Sequence, residues 1–315
     1  MRIDPHVHFR DENQSYKETI LHGLMIAESQ GVMKVVDMPN CSPPILRISD
    51  VKRRLKLVPE RMKDRYYMYI GATLDFNQLK EAVKAVNDFK EVVGIKMFAG
   101  KSTGDLQVLT EDEQLRIYKY LTQLDYKGVI AVHCEKESLM NESHFNSKKP
   151  ITHAESRPNI AEVESLNDQI SFIKKSGFKG HFHMVHVSVP ECVQIIEENR
   201  KIMRISCAVT PHHLLWDDSK LLGEHGLLYK MNPPLRNLKD VIKLRQLLVN
   251  GKIDWIETDH APHTIGEKLH QGFPSGYPTL YLYKDFVENF LPSLGLDKLA
   301  IKRLTYDAIS EVLKI

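Results

Sequence analysis

Eight short runs rich in apolar and β-branched residues recur along this chain, each followed by a stretch of helical period, and no other feature limits the fold as much. The runs are the opening stretch Asp4 to Asp11, then Val32 to Met38, Tyr67 to Thr73, Gly94 to Phe98, Val129 to His133, His181 to His186, Met203 to Val209 and Ile253 to Thr258. Helical patterns lie between them at Tyr16 to Gln30, Ser49 to Lys63 with Ser49 as cap, Asn77 to Glu91, Glu111 to Leu124 behind the cap Thr110, Ile160 to Lys175, Pro190 to Asn199 and Leu238 to Val249. Two more helical stretches follow near the C-terminus. Parallel neighbours need long crossovers, so the alternation predicts a parallel sheet wrapped by helices. No run reads as a polar edge, which favours a closed sheet over the alternative, a doubly wound open one. Without a linker or a break in composition, residues 1–315 are expected to form one (β/α)8 TIM barrel.

Composition excludes several classes. Hydrophobic residues make up 42% and charged residues 27%, ordinary values for a globular chain, and the net charge of +2 argues against nucleic acid or a membrane surface as partner. Cys41, Cys134, Cys192 and Cys207 form no CxxC pair, which fits a reducing compartment and no thiolate metal site. No apolar run approaches the roughly 18 residues of a membrane span. The expected location is the cytoplasm.

In such a barrel the site lies at the C-terminal mouth, so strand exits are read for chemistry first. Alternation along the opening strand puts His6, His8 and Arg10 on one side, with Val7 and Phe9 on the other. The fourth strand carries Lys96, the fifth ends in His133, the sixth in His186 and the eighth in Asp259. Each alone has an ordinary structural explanation; together, four histidines and an aspartate at one rim point to a metal. His183 and His186 have opposite parity, so a regular strand presents only one of them inward; His186, nearer the exit, is favoured and His183 is the alternative.

A lysine amine is a cation at neutral pH and ligates no metal. Carboxylated by carbon dioxide, Lys96 would offer two oxygens that bridge two metals, with His6, His8 and Asp259 on one ion and His133 and His186 on the other. Two cations would acidify a bridging water and so give hydroxide as nucleophile at neutral pH. The nitrogen and oxygen donor set suits two Zn2+ per subunit, with manganese and cobalt also compatible.

These residues sit in stretches that resemble the dihydroorotase branch of the amidohydrolase superfamily. The stretches are Asp4-Pro-His-Val-His-Phe-Arg-Asp11, Met38-Pro-Asn40, Gly94-Ile-Lys96, Ala131-Val-His133-Cys-Glu135, His186-Val-Ser188, Thr210-Pro-His-His-Leu214, Asn232-Pro-Pro-Leu-Arg236 and Thr258-Asp-His-Ala-Pro-His263. The resemblance implies a (β/α)8 barrel that interconverts N-carbamoyl-L-aspartate and dihydroorotate in pyrimidine synthesis. By carry-over, His6, His8, Lys96, His133, His186 and Asp259 match the metal ligands, and Arg10, Asn40 and His263 match the residues that hold the substrate carboxylate. Asp259 would also be the general acid and base. Ser102 and Thr103, between Gly100 and Gly104, resemble a loop that closes on substrate, and Asn232 would contact the ring edge.

The chain departs from the pattern at Glu12-Asn13, where many relatives have Pro-Gly, at Cys41 for threonine, at Ala208 where glutamate is frequent, and at Tyr277 to Leu280. The small accessory β domain that many relatives build from both termini is not expected. Competing readings are an allantoinase or hydantoinase with the same centre, and an inactive subunit acting as scaffold for aspartate transcarbamoylase. A homodimer and association with that transcarbamoylase are the partnerships left open.

Overall fold

The β-branched runs become parallel strands because each is buried on both faces, inward on its barrel neighbours and outward on the helices. A computed structural model describes residues 1–102, 104 and 106–315. The strands are β1 (Ile3–Val7), β2 (Lys34–Asp37), β3 (Tyr66–Gly71), β4 (Val92–Ala99), β5 (Val129–Cys134), β6 (His181–Met184), β7 (Ile205–Val209) and β8 (Trp255–Ile256). Each pairs in parallel with the next in chain order, with no reversal of direction around the sheet, which removes the doubly wound alternative. A parallel bridge between Val7 and His260 and the bond from His8 N–H to the His260 carbonyl, 2.7 Å, bring the last strand back to the first. The result is a nearly closed barrel of eight parallel strands. An additional two-residue strand, Gln107–Val108, runs beside Phe98 and Ala99 in a stretch read from sequence as loop.

The barrel interior below the mouth is filled by Ile3, Val36, Tyr69, Val93, Ala208 and Trp255, against which the terminal helix Ala308–Leu313 sets Ala308, Ile309 and Leu313. Several expected boundaries shift for local reasons. The first helix starts at Ile20 rather than Tyr16, because Thr19 caps it through His22 N–H and the Asp11 carboxylate accepts from Ile20 N–H. The second runs only from Ile48 to Leu55. Its start is fixed by the Asp50 carboxylate, which accepts from the Leu46 and Arg47 N–H groups at 3.0 and 2.9 Å, and not by Ser49; past Pro59 the chain turns through a 3-10 segment. Thr110 caps its helix as expected, and the Pro190–Asn199 and Leu238–Val249 helices keep their expected ends.

Three strands end early where a side-chain carboxylate takes a backbone N–H. Asp37 accepts from Phe9 N–H at 2.9 Å, Asp4 from Thr258 N–H at 3.0 Å and Glu257 from His186 N–H at 2.7 Å. Such a group would cost free energy if buried unpaired, so the carboxylate replaces the ladder and lets the chain turn.

Asp37 is itself held by Arg54, Nη2 to Oδ2 2.8 Å, and by the Tyr66 hydroxyl at 2.5 Å, all fully buried. The same guanidinium donates to the backbone carbonyls of Phe9 and of Arg10, the latter at 2.8 Å, so it fixes the main chain that presents His8 and Arg10. Arg54→Met strands the Asp37 charge in the interior. The expected cost is about 3–5 kcal/mol, seen as a lower midpoint in urea unfolding with an unchanged slope; a midpoint equal to the parent would refute this anchoring.

Candidate metal centre

His6 lies on β1 and His8 just beyond its end, and the two imidazoles turn inward together, as the parity of the opening strand requires. His6 Nε2 and His8 Nε2 are 3.2 Å apart, and Asp259 Oδ1 lies 3.3 and 2.9 Å from them. Their outer nitrogens are both engaged, His6 Nδ1 with Glu257 Oε1 at 2.9 Å and His8 Nδ1 with Asn40 Oδ1 at 2.7 Å. The Nδ1 atoms therefore carry the protons, and in neutral rings both Nε2 lone pairs face one point.

A second pair stands beside the first. His133 Nδ1 and His186 Nε2 are 3.1 Å apart, while His133 Nε2 donates to Glu135 Oε2 at 3.0 Å and Glu135 is ion-paired to Arg157. The His6 and His186 ring centroids are 5.3 Å apart, which joins the pairs. His186 lies beyond its strand with φ +38° and Asp259 has φ +49°; both are left-handed conformations unusual for such residues, and both point a donor atom into the cleft. His183, the alternative, sits one layer lower, stacked on Trp255 with centroids 4.2 Å apart and bonded to Ser206 and Glu257.

Burial pushes the His6 imidazole down to about 4, with Lys96 adding to the effect, and pushes His186 well below the ordinary histidine range. Burial works against ionised Asp259, yet the His8 and His6 imidazoles beside it hold its carboxyl well below the usual range. The neutral His6 and His186 imidazoles and the Asp259 carboxylate face one cleft, an arrangement that suits a cation. Three of these donors, from His6, His8 and Asp259, lie within 4.8 Å of one another. Lys96 is fully buried on β4, and its Nζ has no hydrogen-bond partner; nor do His186 Nδ1 and Asn232 Oδ1. Burial lowers the Lys96 ammonium to about 8 against the pull of Glu257 and Asp259. An orphaned amine at this depth fits a group that acquires further oxygen atoms.

The cleft holds about 30 Å³ of free space and is bordered by Arg10, Asn40, Ser102 and Asn232 as well as His6, His8, His133, His186 and Asp259. Ser102, Asn232 and Ser275 also border an adjoining cavity of about 350 Å³. Arg10 is buried, with Nε on the Pro262 carbonyl at 3.2 Å and Nη2 on His263 Nε2 at 3.3 Å. Burial, then Arg10 and Lys17, push His263 far down, so its neutral ring accepts from the guanidinium. His263 thus stands against Arg10 rather than on the cleft wall, and Asn40 commits its oxygen to His8. Thr103 lies outside the described residues.

Sequence reasoning missed the supports of the ligands. Glu135 follows His133 by two positions and Glu257 precedes Asp259 by two, so period-2 parity alone could have placed both carboxylates on the inward face. Burial opposes the Glu135 charge, but Arg157 and His133 hold its carboxyl at about 2. Gly100 has φ +97°, and a Cβ there would overlap the Glu135 carbonyl, so this close approach of β4 to the Glu135 backbone requires glycine.

No protein-family model matches the chain. It is 32% identical over 292 residues to the dihydroorotase of Methanosarcina mazei, covering 88% of this chain and 61% of that protein. It is 30% identical over 299 residues to the dihydroorotase of Staphylococcus aureus strain Mu50, covering 91% of this chain and 68% of that one. The chain thus spans about two thirds of the length of these relatives. Among solved structures, L-hydantoinase (dihydropyrimidinase) from Arthrobacter aurescens superposes with a TM-score of 0.86 at 21% identity, covering 99% of this chain and 70% of that one. D-hydantoinase from Thermus sp. gives 0.80 at 20% identity, with the same coverage. The structures share the barrel, and among the described residues no helix is long and apolar enough to cross a membrane. The sequence relationship is the closer one, and by it the chain belongs to the dihydroorotase family of the amidohydrolase superfamily.

Proposed function

We propose that the chain is a metal-dependent dihydroorotase that interconverts N-carbamoyl-L-aspartate and dihydroorotate. The observation behind this reading is the buried Arg10 guanidinium, backed by His263, at the edge of a cleft whose other wall is the candidate metal centre. A guanidinium fork pairs bidentately with a carboxylate, which dihydroorotate has and a neutral hydantoin ring lacks. The family relationship supports the same reaction.

His6, His8 and Asp259 would hold one divalent cation, and His133 and His186 a second, zinc in each case, with carboxylated Lys96 spanning them; the ions would polarise a carbonyl and acidify a water. The chain's own residues do the rest. The neutral fraction of the Lys96 amine bonds through Nζ to the carbon of carbon dioxide and releases a proton, leaving a carbamate. Arg10 binds the substrate carboxylate and so sets which ring carbonyl faces Asp259. The depressed Asp259 carboxylate takes a proton from the attacking water at one oxygen. It then delivers that proton to the ring nitrogen as the amide C–N bond breaks; ring closure runs the transfers in reverse. Asn232, with Oδ1 unpartnered at the cleft edge, would meet a ring N–H.

Three variants test the reading by steady-state turnover of dihydroorotate, with hydantoin and allantoin as competitors. Lys96→Ala should abolish turnover and regain part of it with small carboxylic acids; full activity without them refutes the bridge. Asp259→Asn should lower kcat by about 10²–10⁴-fold with the fold intact, and an unaltered kcat refutes the proton transfer. Arg10→Met should raise KM by about ten-fold or more, the loss of a charged hydrogen bond of about 1.5–3 kcal/mol, with a smaller change in kcat. Faster turnover of hydantoin than of dihydroorotate by the parent protein would overturn the proposed substrate.

A further inference from the structure

We infer that Glu257 is the positioning residue that couples the two halves of the centre, setting a ligand of each from one carboxylate. Its oxygen Oε1 lies 2.9 Å from His6 Nδ1 and 2.7 Å from His186 N–H. His6 belongs with His8 and Asp259, and His186 with His133, so a single oxygen touches both sets. Toward His6 the contact fixes the tautomer, because Nδ1 must carry the proton and Nε2 must turn its lone pair to the cleft. Toward His186 it supplies the acceptor that a residue with φ +38° needs for its buried N–H once the strand has ended.

The other oxygen anchors the carboxylate from below. Oε2 lies 3.3 Å from His183 Nε2 and 3.4 Å from Trp255 Nε1, and His183 is stacked on Trp255 and held by the Ser206 hydroxyl. Every donor around Glu257 thus comes from a rigid platform or from a candidate ligand. Glutamine cannot replace it fully: its single oxygen can serve the upper pair, but its amide then turns an N–H toward the Trp255 N–H. The remaining supports are local by comparison. Asn40 touches His8, and Glu135 touches His133, each in one half.

This inference rests on the proposed metal centre, and its test separates the two. Zn2+ is titrated into the full chain against a chelating dye, beside nitrogen NMR of the histidine rings in the metal-free protein. The parent should take up two equivalents. Glu257→Ala should weaken both by about 10–100-fold, whereas Glu135→Gln and Asn40→Ala should each weaken one. In metal-free Glu257→Ala the His6 ring should lose its fixed Nδ1–H tautomer, which removal of a charge without positioning would not cause. Should the alanine variant not fold, Glu257→Gln serves the metal readout, with weakening of both equivalents intermediate between parent and the range above; its oxygen still accepts from His6 Nδ1, so the tautomer stays fixed there. Parent-like affinity in these variants, or weakening confined to one equivalent, overturns the coupling. An unchanged His6 tautomer in Glu257→Ala overturns the positioning. A parent chain that shows the fixed tautomer but binds no Zn2+ instead overturns the metal-dependent function.

Discussion

Buried carboxylates that accept backbone N–H groups are the constraint on which the mouth of this barrel depends. A parallel ladder pairs each N–H with the neighbouring strand, and a strand that must splay to present side chains loses those partners. Asp37, Asp4, Glu257 and Glu162 take over at Phe9, Thr258, His186 and Ser188. Together these contacts free three strand exits without leaving those buried donors bare. The price is four carboxyl groups in the interior, and these are held in turn: Asp37 by Arg54 and Tyr66, Asp4 by the Thr258 hydroxyl, Glu162 by Arg236 and the Ser188 hydroxyl, Glu257 by His183 and Trp255.

The same groups set the electrostatics of the cleft. Burial keeps His6 and His186 neutral, while hydrogen bonds and nearby positive or partly positive groups keep Asp259, Glu257 and Glu135 ionised against the penalty of burial. Asp4 is the contrast, raised by burial to about 7. Lone pairs and negative charge are concentrated at the centre, and Arg157 and Arg236 stand behind it, so the donor set is of a kind that suits a cation.

The barrel was legible in the sequence because parity and helical period survive burial, and the exits of His6, His133 and Asp259 followed from strand ends alone. The supports were less legible. Nothing in a run of residues says which carboxylate will take which N–H across 28, 71 or 254 positions of chain, as Asp37, Glu257 and Asp4 do. Ile253 to Thr258 has the pattern of a six-residue strand and forms only Trp255–Ile256 for that reason, and Ser49 has the residue type of a cap while the competing Asp50 acts from inside the helix. Nothing in the sequence pattern shows that Asn40 Oδ1 lies against His8 and His263 Nε2 against Arg10.

The seam of the barrel lies between its first and last strands, where one parallel bridge and the bond from His8 N–H to the His260 carbonyl close the ring. The donors of the first candidate subsite come from the two sides of that seam, His8 and Asp259 being 251 residues apart in the chain and 2.9 Å apart in space. An ion held between them would be a clasp between the beginning and the end of the barrel. Parting the seam would part its ligands, so binding at the subsite would favour the closed ring that the bridge already forms.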